Sequence, residues 1–396
     1  MSSKLMNPLA FAACLLVAGT GAAQQASDMS LGEVLSATLA FQDAGHSESV
    51  DVAAGMSLLG DLPVLSALHV QSDLDQGADE TELSLNLPLK SGLRHRLDES
   101  LSGLEVRLSE ASTVYRAWYF SGLIREAVWA HRLAQVQISQ ARERVKLLAE
   151  LESRSKLQVK AGTVSEYAVL LAGQERLDAE LLLSDHQAAL REAALRFGSL
   201  TGLPAVPSDI SEPVPVPQQP RYDIHPRLVL LESKREQERL LAGLADPRAA
   251  NWNLALVARD FSGPGQDERQ FGLAVDVPLG LVEVRHRGVE SQKAAAQRDF
   301  ILQRDQARLE IRRDWQALRS DAERLQTRQR LLQESALLGE KIEAQLLSLR
   351  ASNEVEAELV LRRLLDVLDR RGELALIKSQ IHRNAALQRQ AAGYPL

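Results

Sequence analysis

Leu85-Asn86-Leu87-Pro88-Leu89 is written a second time 190 positions later, as Val275-Asp276-Val277-Pro278-Leu279. At the same offset Lys160-Ala161-Gly162-Thr163 is matched by Arg350-Ala351-Ser352-Asn353. Each half closes on a related phrase, Thr201-Gly202-Leu203-Pro204 and Ala392-Gly393-Tyr394-Pro395, one residue out of step. Two Pro-Leu pairs alone would carry no weight, but three anchors at a nearly common offset are the mark of a duplicated half-molecule. The unit is far longer than the roughly 20 to 50 residues of a solenoid repeat.

What lies between the anchors is helical in composition. Of the 14 prolines, half (204, 207, 213, 215, 217, 220 and 226) crowd one stretch, and none falls between Leu89 and Leu203 or between Leu279 and Gly393. Ala, Leu, Glu, Gln and Arg dominate these runs and aromatics are only 4% of the chain, so helices far longer than the globular average are expected. The expected helices are about 92–160 and 164–200 in the first half and about 281–350 and 355–391 in the second. A helix from Leu89 to the Ala161-Gly162 break is roughly 105 Å long at ~1.5 Å per residue. Ala134, Ile138, Ala141, Val145 and Leu148 recur at 4-3-4-3, a coiled-coil seam. The second half repeats the plan through Leu331, Leu338, Ile342, Leu346 and Leu349. So narrow a seam suits a helical wall and cannot form an ordinary globular core.

Upstream of each Pro-Leu the period changes to two. Leu83, Leu85, Leu87 and Leu89 alternate with Glu82, Ser84 and Asn86; Phe271, Leu273, Val275 and Val277 alternate with Gly272, Ala274 and Asp276. Partner strands are Val64 to Val70, where the alternation is poor, and the stretch from Trp252, with a turn cluster at Ser262-Gly263-Pro264-Gly265. The expected strands are about 63–72, 81–90, 251–261 and 269–279. His225-Pro226 opens a further helix to about Leu244, stopped by Pro247. Four strands cannot close a barrel, and the narrow helices offer no cover for an apolar sheet face. One resolution is that several chains pool strands into an outer-membrane barrel, with Leu83, Leu85, Leu87, Leu273, Val275 and Val277 to lipid and Ser84, Asn86, Ala274 and Asp276 to the lumen. Two, three or four copies all satisfy that arithmetic. The competing reading is a soluble periplasmic coiled-coil adaptor or scaffold without a pore.

The N-terminus reads as an export signal over residues 1–23: Lys4, an apolar core from Leu9 to Gly19, and Gly21-Ala22-Ala23 before Gln24. No other segment is long and apolar enough to span a bilayer as a helix. Cys14, the only cysteine, lies inside the signal. It is either an acylation site or discarded with the signal, and the short apolar stretch before it favours the second. The mature chain then has no disulfide or thiolate metal site. A formal charge of −7 gives no footprint for nucleic acid. No nucleophile elbow, phosphate loop or paired-histidine ligand motif is present, so no enzyme, no metal site and no cofactor is expected.

In the order and spacing of Pro88-Leu89, Ala161-Gly162-Thr163-Val164-Ser165, Leu200 to Pro204, the Pro-rich stretch 204–226 with His225-Pro226, and Pro278-Leu279, the chain resembles the TolC family of outer-membrane efflux ducts over essentially its whole mature length. The resemblance implies a duplicated strand-strand-helix-helix fold, mainly α with a small transmembrane β part: residues 24–203 are the first repeat, 204–226 a strap and 227–396 the second. It further implies a homotrimer with a twelve-stranded outer-membrane barrel continued by a periplasmic helical tunnel. The partners implied are outer-membrane lipid, a periplasmic adaptor and an inner-membrane pump of the RND type. Glu80 to Pro88, Asp276 to Leu279 and His286-Arg287-Gly288 look most like the branch serving heavy-metal pumps, which makes divalent cations a candidate cargo. The chain departs from the family in a short helix between His46 and Pro63 and in Ser352-Asn353 where the family prefers Gly.

The resemblance also places functional residues. Lys160, Ala161, Gly162 and Thr163, with Arg350, Ala351, Ser352 and Asn353, would be the adaptor-docking tips. Glu354, Glu356 and Glu358, with Glu166 as the repeat equivalent of Glu356, would ring the periplasmic pore mouth and favour cations; acidic residues after a turn also cap a returning helix, and the two readings weigh equally. Asp366 and Asp369 form a second acidic phrase further along the same helix. His95 with Arg94 and Arg96, and His286 with Arg285 and Arg287, read as a basic collar at the membrane's inner face. Trp252 and Phe271 are candidate belt aromatics.

Overall fold

A computed structural model describes residues 28–44, 58–71, 79–162, 165–263, 267–277, 287–351 and 357–396. The expected signal segment with Cys14, the short helix expected between His46 and Pro63, and the second Pro-Leu pair lie outside the described residues. In chain order the elements are α1 (Leu31–Asp43), β1 (Val64–Val70), β2 (Asp79–Leu89), α2 (Gly92–Lys160), α3 (Glu166–Thr201), α4 (Pro226–Leu244), β3 (Trp252–Ser262), β4 (Glu268–Asp276), α5 (Arg287–Ala351) and α6 (Ala357–Ala391). The expected strand-strand-helix-helix order thus appears twice, with α2 of 69 residues answered by α5 of 65 and α3 of 36 by α6 of 35. The fold is mostly helical with one small antiparallel sheet. Among the described residues no helix is long and apolar enough to cross a membrane.

The repeated closing phrases turn out to be helix stops. Gly202 ends α3 at φ 71°, its N–H bonded to Gly198 O at 2.8 Å, and Gly393 follows α6 at φ 92°. Only glycine takes this left-handed conformation without strain, which is why both halves carry it at the same place. Neighbours fill the space a side chain would need: Phe41 sits over Gly202, and His225 and Pro226 over Gly393.

The chain divides into two compact units, and neither is a repeat; each draws on both halves. One comprises residues 1–47, 114–226 and 308–396. Its helices form a layer through paired contacts. Glu152 of α2 meets Arg176 of α3 at 2.7 Å; Arg144 of α2 meets Asp369 of α6 at 2.7 Å; Arg371 of α6 meets Glu343 of α5 at 2.7 Å. The order is therefore α3, α2, α6, α5. The apolar core lies where α1, α2, α3 and α6 converge, at Val34, Leu35, Ile124, Val128, Phe197 and Ala386. The expected α2 seam is found, with Ala134, Ile138, Ala141 and Leu148 all buried.

Helix α5 departs from expectation. Leu346 is buried, but Leu331 and Leu338 are 57% and 59% exposed and Ile342 is exposed too. The seam against α6 instead runs through Leu325 and Leu332, packed on Ile377. Helix α5 carries two apolar stripes side by side, and only one finds a partner among the described residues.

Helix α1 was not anticipated. Its start is a capping box: Ser30 Oγ accepts from Glu33 N, while the Glu33 carboxylate accepts from Ser30 N at 2.7 Å. These bonds from Ser30 hold the Glu33 carboxyl below its ordinary pKa.

The other unit comprises residues 48–113 and 227–307. Its four strands form one sheet in the order β1-β2-β3-β4, all antiparallel. The two hairpins do not stand apart: β2 and β3 pair along eleven positions, from Asp79 opposite Ser262 to Leu89 opposite Trp252. The segment before β1 is tied to the end of β2 by Gly60 N to Pro88 O at 2.8 Å and Lys90 N to Leu58 O at 3.0 Å.

Candidate functional site

The sheet's register sorts its side chains into two contrasting faces. On one, four apolar rows lie across the strands: Leu89 and Trp252; Leu87, Leu254 and Val275; Leu65, Leu85, Leu256 and Leu273; Ala67, Leu83, Ala258 and Phe271. Rows two residues apart make this face ~20 Å deep along the strands. It ends abruptly at a polar row of His69, Thr81, Asp260 and Arg269, where His69 Nδ1 lies 2.8 Å from Thr81 Oγ1 and Arg269 binds Asp260 at 3.0 Å. Phe271 is 84% exposed and Leu273 65%. Val277 follows the last residue of β4 and is exposed as well. A contiguous apolar surface of this size on a folded chain marks an interface.

The opposite face is polar and knitted together by side chains. Glu82, Ser84 and Asn86 share it with Asn253, Arg259, Gln270, Ala274 and Asp276. Asn253 Nδ2 donates to Asn86 Oδ1 at 3.3 Å, and Arg259 bridges Glu82 at 2.8 Å and Glu80 at 3.6 Å. Strand β1 blurs the contrast, with Val64, Leu68 and Val70 on this face and Leu65 and Ala67 on the other, and β3 adds Val257 and Phe261 to it. Among the described residues strands β1 and β4 are open edges.

In the helical unit the first tip is a tight turn. Helix α2 ends at Lys160; Ala161 N and Gly162 N bond back to Leu157 O and Val159 O at 3.1 and 2.9 Å, and Gly162 takes φ 71°. Glu166 is the exposed first residue of α3. Thr163, Ser352, Asn353, Glu354 and Glu356 lie outside the described residues. Arg350 and Ala351 close α5 and Glu358 falls in the first turn of α6, with their side chains also outside the description.

Of the acidic candidates, Asp366 pairs with Arg363 at 3.3 Å. Asp369 pairs with Arg144, which also reaches Glu175 at 3.7 Å. Glu152 of α2 accepts from Lys156 and Arg176, and these bonds hold its carboxyl below the usual carboxylate pKa. Of the basic collar, Arg94 N is capped by Ser91 Oγ at 3.3 Å and Arg96 Nε bonds Gly92 O, while Arg285 and His286 lie outside the described residues.

One polar centre had no counterpart in the sequence reading. Arg125 of α2 has a fully buried side chain and forms a two-pronged pair with Glu212 of the strap, Nε to Oε1 at 3.0 Å and Nη2 to Oε2 at 2.7 Å. Its remaining guanidinium nitrogen donates to Gln390 Oε1 and to Tyr394 O at 2.9 Å. Gln390 in turn exchanges hydrogen bonds with Trp118, 2.8 Å from the indole to Gln390 O and 2.9 Å from its amide to Trp118 O. One cation thereby ties the strap and the segment after α6 to α2. Nothing local announces it: a buried arginine and a surface arginine have the same letter, and its partners lie 87 and 265 positions away.

No protein-family model matches the chain, and no curated protein matches it. Solved structures do. The outer membrane protein VceC from Vibrio cholerae superposes with a TM-score of 0.65 at 15% identity over 92% of both chains. CusC gives 0.64 at 14% over 91% of this chain and 89% of that one, and the MtrE outer membrane channel of Neisseria gonorrhoeae gives 0.63 at 16% over 92% and 89%. At such identities the likeness speaks for the fold: the chain folds as outer-membrane channel proteins do, the fold that its resemblance to the TolC family implied.

Proposed function

We propose that three copies of this chain form an outer-membrane duct that passively exports substrates received from an inner-membrane pump through a periplasmic adaptor. The observation that carries the reading is the four-row apolar face on a sheet with two open edges. In water such a face would be covered, and here it is bounded by a sharp polar row, as at a lipid boundary. Strands of eleven residues in β2 and β3 match the ~9–11 needed to cross a bilayer at a tilt. A closed barrel needs at least about eight strands. Pairing β4 of each copy with β1 of the next would supply twelve from three copies and remove every edge.

The helices support the same assembly. Just as β1 and β4 are the edges of the sheet, α3 and α5 are the edges of the helical layer. The unpartnered stripe at Leu331, Leu338 and Ile342 on α5 is matched on α3 by exposed Leu170, Leu177 and Leu181, so a neighbouring copy would close both at once. On this reading Leu83, Leu85, Leu87, Leu273, Val275 and Val277 face lipid, with Trp252 and Phe271 as aromatic anchors near the two ends of the band. Ser84, Asn86, Ala274 and Asp276 face the lumen. The tips at 160–163 and 350–353 dock on the adaptor, and Glu354, Glu358 and Glu166 give the mouth a negative field suited to cations, divalent metals among them. A soluble adaptor is disfavoured by the presence of two helical hairpins and one open, apolar-faced sheet.

The test is the mass of the detergent-purified protein after correction for bound detergent. Three times the mass of the mature chain, itself somewhat below the 43.5 kDa of all 396 residues, is expected. A stable monomer would refute the duct.

A further inference from the structure

Where α5 and α6 run side by side, their seam changes character. Leu325 and Leu332 pack on Ile377 of α6, but further along α6 the seam positions are taken by Asn384 and Gln388, both buried. Asn384 Nδ2 donates to Leu318 O of α5 at 3.1 Å, and Gln388 Nε2 donates to Asn384 Oδ1 at 2.6 Å. Here side-chain amides holding a helix carbonyl take the place of apolar contacts between the two helices. Beside these amides lies a groove of about 290 Å³.

Its apolar floor is Leu325 and Leu387, and its rim carries Arg324, Arg328 and Arg383 against a single carboxylate, Asp321. Three cations against one anion leave a formal charge of +2 on a chain whose net charge is −7. The carboxylate is already engaged, with Arg324 at 3.0 Å. Arg328 has only a distant contact, 3.8 Å to Glu373. Arg383 has no ion-pair or hydrogen-bond partner among the described residues. Two guanidinium groups are thus available above an apolar floor.

We propose that this groove binds small aromatic anions, a fused ring lying on the leucines with a carboxylate or sulfonate held by Arg328 and Arg383. The volume lies at the small end of the ~300–1,000 Å³ typical of ligand pockets, which fits one or two fused rings and an acid group. Guanidinium matches the geometry of a planar acid bidentately and also stacks on aromatic faces, so the same two arginines serve both halves of such a ligand. A cation is excluded by the same charge that attracts the anion. The site lies within one compact unit and does not depend on the chain being a duct.

The experiment is calorimetric titration of the full-length protein, reconstituted in lipid nanodiscs, with naphthalene-2-sulfonate. Neutral 2-naphthol and cationic naphthylmethylammonium are the comparison ligands, and empty nanodiscs the blank. Saturable sulfonate binding is expected, roughly tenfold or more tighter than the naphthol, with none for the cation. Arg383→Gln and Arg328→Gln should each weaken it by about tenfold, and the Lys378→Gln control on the same helix should leave it unchanged. Equal affinity for sulfonate and naphthol would overturn the proposal as mere partitioning. So would wild-type affinity in Arg383→Gln, or no binding at all, the result expected if a second copy covers the groove.

Discussion

Replacing Glu212 by Gln tests how far its buried carboxylate, paired with Arg125 at 2.7 Å and 4.0 Å from Arg389, holds the strap. The substitution keeps the shape and removes the charge facing a fully buried Arg125. Breaking a buried pair from one side costs about 3–5 kcal/mol, because an uncompensated charge stays behind. Here Gln390 Oε1 and Tyr394 O still accept from Arg125 and the new amide oxygen replaces one acceptor, so ~2–3 kcal/mol is the appropriate share. If that loss appears as local opening of the strap, the open population rises about 30- to 150-fold. The strap carries its own reporter. Arg221 is an exposed tryptic site within it, and cleavage there tracks the open population when opening is fast relative to cutting.

Trypsin digestion followed by mass spectrometry should therefore show cutting after Arg221 accelerated by that factor, with no acceleration at Arg196 on α3. The double variant Arg125→Met, Glu212→Leu removes the buried pair, and since apolar replacements of such a pair are often neutral while Arg389 keeps its bond to Val214 O, its cleavage should fall well below that of Glu212→Gln. Wild-type cleavage of Glu212→Gln at Arg221 would refute the reasoning. Equal acceleration at Arg196 would mean that the pair supports the whole unit and not the strap.

Three other outcomes are expected. Leu85→Arg, on the apolar face, should impair membrane insertion by roughly 2–4 kcal/mol in a folding assay with lipid vesicles, while Asn86→Arg one position along should insert normally; equal tolerance would place the sheet outside the membrane. Leu338→Glu, on the unpartnered α5 stripe, should shift the detergent-solubilised protein toward smaller species in light scattering, since a buried leucine contributes ~1.5–3 kcal/mol in each copy, and an unchanged mass would leave the stripe without a partner. Arg248 donates to Asp246 from its side chain and backbone and lowers the Asp246 pKa from 3.8 to about 2. A depressed carboxyl stabilises the fold above its unfolded pKa and loses that contribution as pH falls, so the protection of residues 245–249 against hydrogen exchange, relative to the free peptide at each pH, should fall from about pH 4 down to about 2 in the wild type and be flat across that range in Asp246→Asn.

The parts of the fold legible in the sequence were those written locally. Proline-free runs located α2, α3, α5 and α6, and period-two alternation placed β2, β3 and β4 to within a few residues. The capping box at Ser30 and Glu33, which starts α1, is equally local. What was not legible depends on which of several similar faces meets which. Helix α5 has two apolar stripes one residue apart in register, and composition cannot say that Leu332, not Leu331, turns toward α6. The joining of the hairpins through β2 and β3 and the burial of Arg125 are contacts across 167 and 87 positions, where no periodicity survives. The acidic residues of the second tip can be placed on the chain, but their role is a matter of what surrounds them.

The pairing of β2 with β3 also sets an order in time. Leu256 meets Leu273 across 17 positions but meets Leu85 across 171, a tenfold longer loop that adds ~2 kcal/mol to the entropy of closure. The central ladder of the sheet must therefore wait for the second half, while the first hairpin exists alone, its greasy side and one long flank uncovered. A sheet built from its two ends inward thus passes through a form in which the first hairpin's apolar side and one flank stand open, an aggregation hazard until the second hairpin joins it.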